Sequence, residues 1–326
     1  MKSIHWISTR CIAALSLAIG FPSAQAVEPP VRILPLGDSL TSGESNFTVQ
    51  GAYRNRLHTL LNSAGYNVDF LGTFSDSSNP GLPDTDHQGQ GGARIDQIQA
   101  NLNGWLESID DPDVVLLLVG TNDFWQSYNL GGVQARYTNL IASIAQQRPF
   151  AKIVVASLPP RIDSGTIEAQ QNSFNAAIPG IVAQQAALGR QVTFVDLHSA
   201  LGSGDFSPDG VHPTSAGFSK LGDRWFPGVT SVISPQGTSN PPVIVSASPW
   251  NDLQHVDVVF SKPVSDASAS LANFSVPGLT LSGVSLDAAT KRVITLTTSV
   301  QAPGVVYTLG VNNVRDRTAQ QNKIAP

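Results

Sequence analysis

Eight residues about a third of the way along the chain, Pro112-Asp113-Val114-Val115-Leu116-Leu117-Leu118-Val119, restrict the fold more than any other stretch. Their apolar run is continuous where a half-buried strand would alternate, so both faces of this strand must be covered. That is the signature of a central strand in a parallel sheet with helices on either side. Shorter strand-like runs stand at residues 33–36, 68–71, 153–157 and 192–197. Between them, helical spacing appears at 51–64, at Ile95, Ile98, Leu102, Trp105 and Leu106, and at 134–147. A further helix over 166–188 is expected to be interrupted near Pro179, and Thr214 should cap a last one ending near Trp225. Residues 74–92 hold Asp, Ser, Asn, Pro and Gly in loop proportions and read as one long ordered loop. Five strands alternating with helices predict an α/β fold, a doubly wound (flavodoxin-like) five-stranded parallel sheet.

Two ends of the chain have a different character. Lys2 and Arg10 flank a polar start, residues 11–21 are almost wholly apolar, and Ala24-Gln25-Ala26 offers the small residues that a signal peptidase reads. Cleavage after Ala26 and export, periplasmic or extracellular, are therefore expected. The apolar run is too short for an anchor, and no later segment reaches the ~20 residues of a membrane span. The expected leader carries Cys11, the one cysteine, so disulfides, cysteine-ligated metals and a thiol nucleophile are excluded from the mature protein. It also carries Lys2 and Arg10, which leaves 17 basic residues against 24 acidic, a net charge of −7. That balance argues against nucleic acid or an anionic membrane surface as partner. At the other end, residues 227–242 are rich in Pro, Gly, Ser and Thr without periodicity, and short strand-like runs follow at 243–245, 256–260, 279–286, 293–297 and 305–309. The expected organisation is a leader over 1–26, an α/β domain over 27–228, a linker over 229–241 and a small β-sandwich over 242–326.

Chemistry collects where an open α/β sheet would gather it, at the carboxyl ends of the strands. The first strand ends in Gly37-Asp38-Ser39, which presents a hydroxyl that needs a base to become a nucleophile. Gly120-Thr121-Asn122-Asp123 follows the central strand, Gly89-Gln90-Gly91-Gly92 closes the long loop before a helix, and Asp209-Gly210-Val211-His212 precedes the last helix. Taken singly, each has a plain structural explanation as a turn or cap. His58 reads as part of a solvated helix face and His198 as a loop residue, while His87 lies near the glycines with Asp84 and Asp86 as its nearest carboxylates in sequence.

Together, in order, spacing and strand context, these blocks resemble the SGNH (GDSL-type) hydrolase family over about residues 31–226. Two further stretches, Gly51-Ala52-Tyr53-Arg54-Asn55-Arg56-Leu57 and Asp86-His87-Gln88-Gly89 leading to Arg94-Ile95-Asp96-Gln97-Ile98, resemble its secreted acetyl-xylan-esterase branch. The resemblance implies a serine esterase with Ser39 as nucleophile, His212 as base and Asp209 as the residue that orients it. It implies an oxyanion hole from the Ser39 and Gly92 N–H groups and the Asn122 amide, with Gly89 as the alternative to Gly92, because Gly91 stands where the family often has serine. Asp38, Arg94 and Trp125 complete the candidate set as substrate contacts. Neither a metal nor an organic cofactor is needed. The segment from Pro241-Pro242-Val243-Ile244 through Ser261-Lys262-Pro263-Val264 to Tyr307-Thr308-Leu309-Gly310-Val311 resembles bacterial Ig-like domains, for which a spacer or attachment role is favoured over binding.

The expected substrate is a short-chain, acetyl ester on a polysaccharide such as xylan, since of the loops expected around Ser39, 41–50, 75–92 and 124–132, the first two are mainly polar and only the third is noticeably aromatic. A broad arylesterase or lipid-directed esterase of the same fold is the nearer alternative. A non-catalytic surface or adhesion protein is the alternative of another class.

Overall fold

The computed structural model describes residues 30–43, 51–76, 81–234, 241–288, 290–317 and 321–324. The expected leader therefore lies outside the described residues. Contacts divide the rest into two units, one ending at Pro235 and the other beginning at Gln236. Among the described residues no helix is long and apolar enough to cross a membrane.

The first unit is built on β1 (Val31–Gly37), followed by the single turn α1 (Ser39–Ser42), α2 (Ala52–Ser63) and β2 (Val68–Phe70). Then come β3 (Phe74–Ser75), β4 (Asp86–Gly89), α3 (Ile95–Glu107), β5 (Val114–Leu118), α4 (Thr121–Trp125) and α5 (Val133–Gln147). β6 (Lys152–Ala156), α6 (Gly165–Ala187), β7 (Val192–Val195) and α7 (Ser215–Thr230) complete it. The parallel strands run in the order β2-β1-β5-β6-β7, with β5 between β1 and β6 as its unbroken apolar run requires. Every residue of β5 is buried, at about 1.5 to 3 kcal/mol of transfer free energy per large side chain. Helix α2 packs against α7 through Tyr53 and Trp225, while α5 packs between α3 and α6, with Tyr137 edge-on to Phe174.

Several expectations need correction. The stretch 74–92 is no plain loop: β4 pairs parallel to the end of β1, Gly37 opposite Gly89, and β3 returns antiparallel to β4. Its polar residues hid the strand because β4 is held by backbone pairing to β1 and β3, not by an apolar face. Helix α6 runs through Pro179 unbroken, since the proline removes one N–H on an exposed flank while Phe174, Ile178, Ile181 and Val182 anchor the other side. Helix α7 continues past Phe226 and Pro227 to Thr230, with Val229 buried, so ordered structure reaches into the stretch read as linker; residues 235–240 lie outside the described residues. His58 is buried, not solvated, because α2 turns it edge-on to Phe70 of β2, and this burial lowers its pKa against the pull of Asp84.

The second unit is all β. An antiparallel sheet runs in the order β11-β12-β9-β8, built from β8 (Ile244–Pro249), β9 (His255–Phe260), β11 (Leu281–Leu286) and β12 (Val293–Thr298). β10 (Phe274–Ser275) pairs with β13 (Gly310–Val311). Val258, Phe260, Val264, Phe274, Ile294, Leu296 and Val314 form its core. The strand expected over 305–309 is absent there; Val305 and Val306 are exposed and pairing begins at Gly310.

Candidate active site

Strand β1 stops because Asp38 turns the chain into α1. Its Oδ1 accepts the Leu40 N–H at 3.0 Å, and its own carbonyl accepts those of Thr41 and Ser42. The turn leaves Ser39 just past the strand end, as the first residue of α1. From the other side of the sheet edge, the segment before α7 delivers His212, whose Nε2 stands 2.9 Å from Ser39 Oγ. His212 Nδ1 lies 2.7 Å from Asp209 Oδ2, and Asp209 Oδ1 accepts the N–H groups of Val211 at 3.0 Å and His212 at 2.9 Å. Burial pushes the Asp209 carboxyl up, but those two N–H groups and the imidazole outweigh it and hold it below the usual carboxylate range. Ser39 and a histidine 173 positions away, with the aspartate three residues before that histidine, are thus aligned in one hydrogen-bonded line.

The glycine cluster resolves into two different roles. Gly89 is buried in β4, its N–H donates to His87 Nδ1 at 3.1 Å, and a Cβ there would meet Ser42 N at 2.4 Å. Gly92 occupies the third position of a turn closed from Ala93 N–H to Gln90 O, with φ +73°, a conformation natural to glycine. Neither the Gly92 N–H nor the Ser39 N–H has an acceptor among the described residues, whereas Gly89's is already engaged. Asn122, on α4 after the central strand, gives one Nδ2 hydrogen to Ala93 O at 3.0 Å and keeps the other. Asp123 beside it is buried and structural: Oδ2 accepts the Ile95 N–H at 2.9 Å and Oδ1 accepts Arg136 Nη2 at 2.8 Å. It thereby ties α4 to the start of α3, next to Gly92.

The three substrate contacts fare differently. Asp38 is 0% exposed and caps α1, so it does not reach a substrate, and the expectation is corrected: its proximity to Ser39 is along the chain, with its side chain turned inward. Arg94 spends its guanidinium on Asp96 and Gln126 and lies 4.1 Å over the Tyr128 ring, so it builds the rim. Trp125 is 59% exposed.

Sequence reasoning missed a second network behind the site. Arg54, buried in α2, donates to the carbonyls of Thr41, Ser42 and Asp86 and pairs with Asp76, which also lies 3.7 Å from His87 Nε2. The carboxylate near His87 is thus Asp76, not Asp84 or Asp86. An arginine in the first turn of an amphipathic helix reads as surface; only its place in the block 51–57 singled it out.

A sequence model of the GDSL-like Lipase/Acylhydrolase family matches residues 36–220. The chain is 28% identical over 238 residues to a multidomain esterase of Ruminococcus flavefaciens, 66% of this chain and 30% of that protein. It is 35% identical over 134 residues to a putative endoglucanase X of Acetivibrio thermocellus, 40% of this chain and 56% of that one. The matches thus span well under two thirds of either relative's length. Among solved structures, a family 3 carbohydrate esterase of Clostridium thermocellum is similar with TM-score 0.55 and 35% identity, over 63% of this chain and 98% of that one. A family 3 carbohydrate esterase from Talaromyces cellulolyticus gives 0.54 and 28%, over 62% and 97%.

Proposed function

This chain belongs to the GDSL-like lipase/acylhydrolase family, and from that premise we propose that it is a serine carboxylic ester hydrolase, exported, that removes acetyl groups from a polysaccharide such as xylan. The observation that carries the reaction class is the line from Ser39 Oγ through His212 to Asp209, at 2.9 and 2.7 Å. As Ser39 attacks the ester carbonyl, His212 Nε2 takes its proton, and Asp209 stabilises the imidazolium that forms. The oxyanion is received by the Ser39 and Gly92 N–H groups and the remaining Asn122 amide hydrogen, the donors that the fold leaves without acceptors. One such donor is worth about 3 kcal/mol in a transition state. Collapse expels the alcohol, protonated by His212, and leaves an acyl-serine. Water, deprotonated by the same imidazole, then releases the acid.

Two carbohydrate esterases at 35% and 28% identity support a sugar-borne ester. The second unit is read as an Ig-like spacer or attachment module. A chain-length series of simple esters tests the acyl assignment: kcat/KM should peak at acetyl or propionyl and fall by octanoyl. A profile rising to octanoyl would replace this reading with a lipid-directed esterase, each added CH₂ then contributing about 0.8 kcal/mol in an apolar groove.

A further inference from the structure

Trp125 and Asn122 stand three residues apart on α4, so their side chains are neighbours on one side of that helical turn. The indole is thus within one turn of a proposed oxyanion donor. Among the described residues it is also the most exposed aromatic side chain of the first unit, and the guanidinium of Arg161 lies against it, with Cζ 4.9 Å from the ring centroid. Tyr128, by contrast, is engaged by Arg94 at 4.1 Å and Arg136 at 5.1 Å.

Arg161 is an unusual residue to find there. It is 3% exposed; Nε donates to Asp163 Oδ1 at 2.9 Å and Nη2 to Asp163 Oδ2, while the buried Nη1 has no hydrogen-bond acceptor. A buried donor without an acceptor is costly unless something compensates it, and the electron-rich indole face is what this guanidinium meets. Its main chain is fixed as well, with the Arg161 N–H on Glu168 Oε2 at 2.7 Å. The next residue, Ile162, donates its N–H to Gly210 O at 2.9 Å, and a Cβ on Gly210, at φ +69°, would meet Asp163 N at 2.7 Å. One short segment therefore touches Trp125 and also backs the loop that carries Asp209 and His212.

Resting on the polysaccharide reading, we propose that Arg161 is a positioning residue that holds the Trp125 indole as a fixed platform, against whose open face a pyranose ring of the substrate stacks. A platform fixed before binding spares the substrate the entropy of ordering it. The guanidinium takes the inner face, which leaves the outer face to the C–H groups of the sugar.

The test is a double-mutant cycle in full-length protein carrying Ser39→Ala, with binding of an acetylated xylo-oligosaccharide measured by calorimetry. Trp125→Ala should weaken binding about tenfold and Trp125→Phe less. Arg161→Met should weaken it about threefold to tenfold when Trp125 is present and less than twofold once Trp125 is Ala, because its effect passes through the ring. Arg161→Lys, which keeps the cation but not the planar fork, should fall between and serves if the Met variant fails to fold. The inference is overturned if Trp125→Ala binds like its parent, if the Arg161 effect persists without the indole, or if the parent binds no oligosaccharide. Turnover is read separately: absence of acetate release from every acetyl ester by the wild type overturns the esterase reading, while the binding cycle still decides the platform.

Discussion

Asp38 and Ser39 are neighbours and both buried, but their side chains meet different partners, a backbone N–H for one and the His212 imidazole for the other, and their chemistry follows from that. Burial pushes the Asp38 carboxyl up to about 7, against the pull of the Leu40 N–H and with the Asp123 carboxylate adding to the rise. A carboxyl raised in the folded state keeps its proton there at pH values where the unfolded chain has lost it. Unfolding then releases a proton, so this group makes the protein less stable as pH climbs from about 4 to about 7. Asp38→Asn keeps the capping oxygen and removes the titration. Denaturant unfolding at pH 5 and 8 should therefore show a larger loss for the wild type than for the variant, by an amount on the order of 1 to 3 kcal/mol. Equal losses would mean that Asp38 titrates near its ordinary value. In the same spirit Asp209→Asn should reduce kcat less than His212→Ala, since orientation is lost before the base itself. A serine in one block, and an aspartate and a histidine in another, could be read from the sequence because their chemistry needs those residue types. Arg54, Asp76 and Arg161 could not, because a buried charged side chain is betrayed only by its partners in space, and those come from distant segments.

At the scale of elements, the period of the apolar residues was enough to place the strands and helices that pack on the core. Where an element is held by something else, reading failed: β4 by backbone pairing to β1, the end of α7 by burial of Val229 beyond a proline. Pro179 gives a test of how α6 is held. It sits exposed inside a helix of 23 residues that does not break, so its missing N–H is a cost carried by the packing of the buried side. Pro179→Ala should stabilise the first unit by about 1 to 3 kcal/mol, the helix term of about 3 reduced by the greater freedom of the unfolded chain. A destabilised variant would show that the proline is needed for the helix's path. Gly89→Ala tests the opposite situation. Its Cβ would meet backbone at 2.4 Å, so it should lose more than about 2 kcal/mol and disturb α1 and Ser39 with it.

At the scale of the whole molecule, the described residues form two cores with no shared buried residues, one in each unit. Ser39, Gly92, Asn122, Asp209 and His212 all belong to the first. Cutting the chain within 235–240 should therefore leave a folded unit that turns over a small acetyl ester at a rate within about threefold of the full chain, since an intact core folds as its own domain. Loss of that activity would mean the second unit completes the site, and a loss confined to insoluble substrate would assign it a binding role. The division was visible as a change in composition after residue 226, though the Ig-like character of the second unit rests on resemblance, because short strands with turns between them fit several all-β arrangements.

The central claim is that Ser39 performs acyl transfer from a polysaccharide. Acetate released from acetylated xylan by the full-length protein and by Ser39→Ala addresses it most directly. The wild type should release acetate, and the variant, folded and equally stable to within about 1 kcal/mol, should be slower by about a thousandfold or more. Release by the variant at the wild-type rate, or none by the wild type beside turnover of simple esters, would contradict the account.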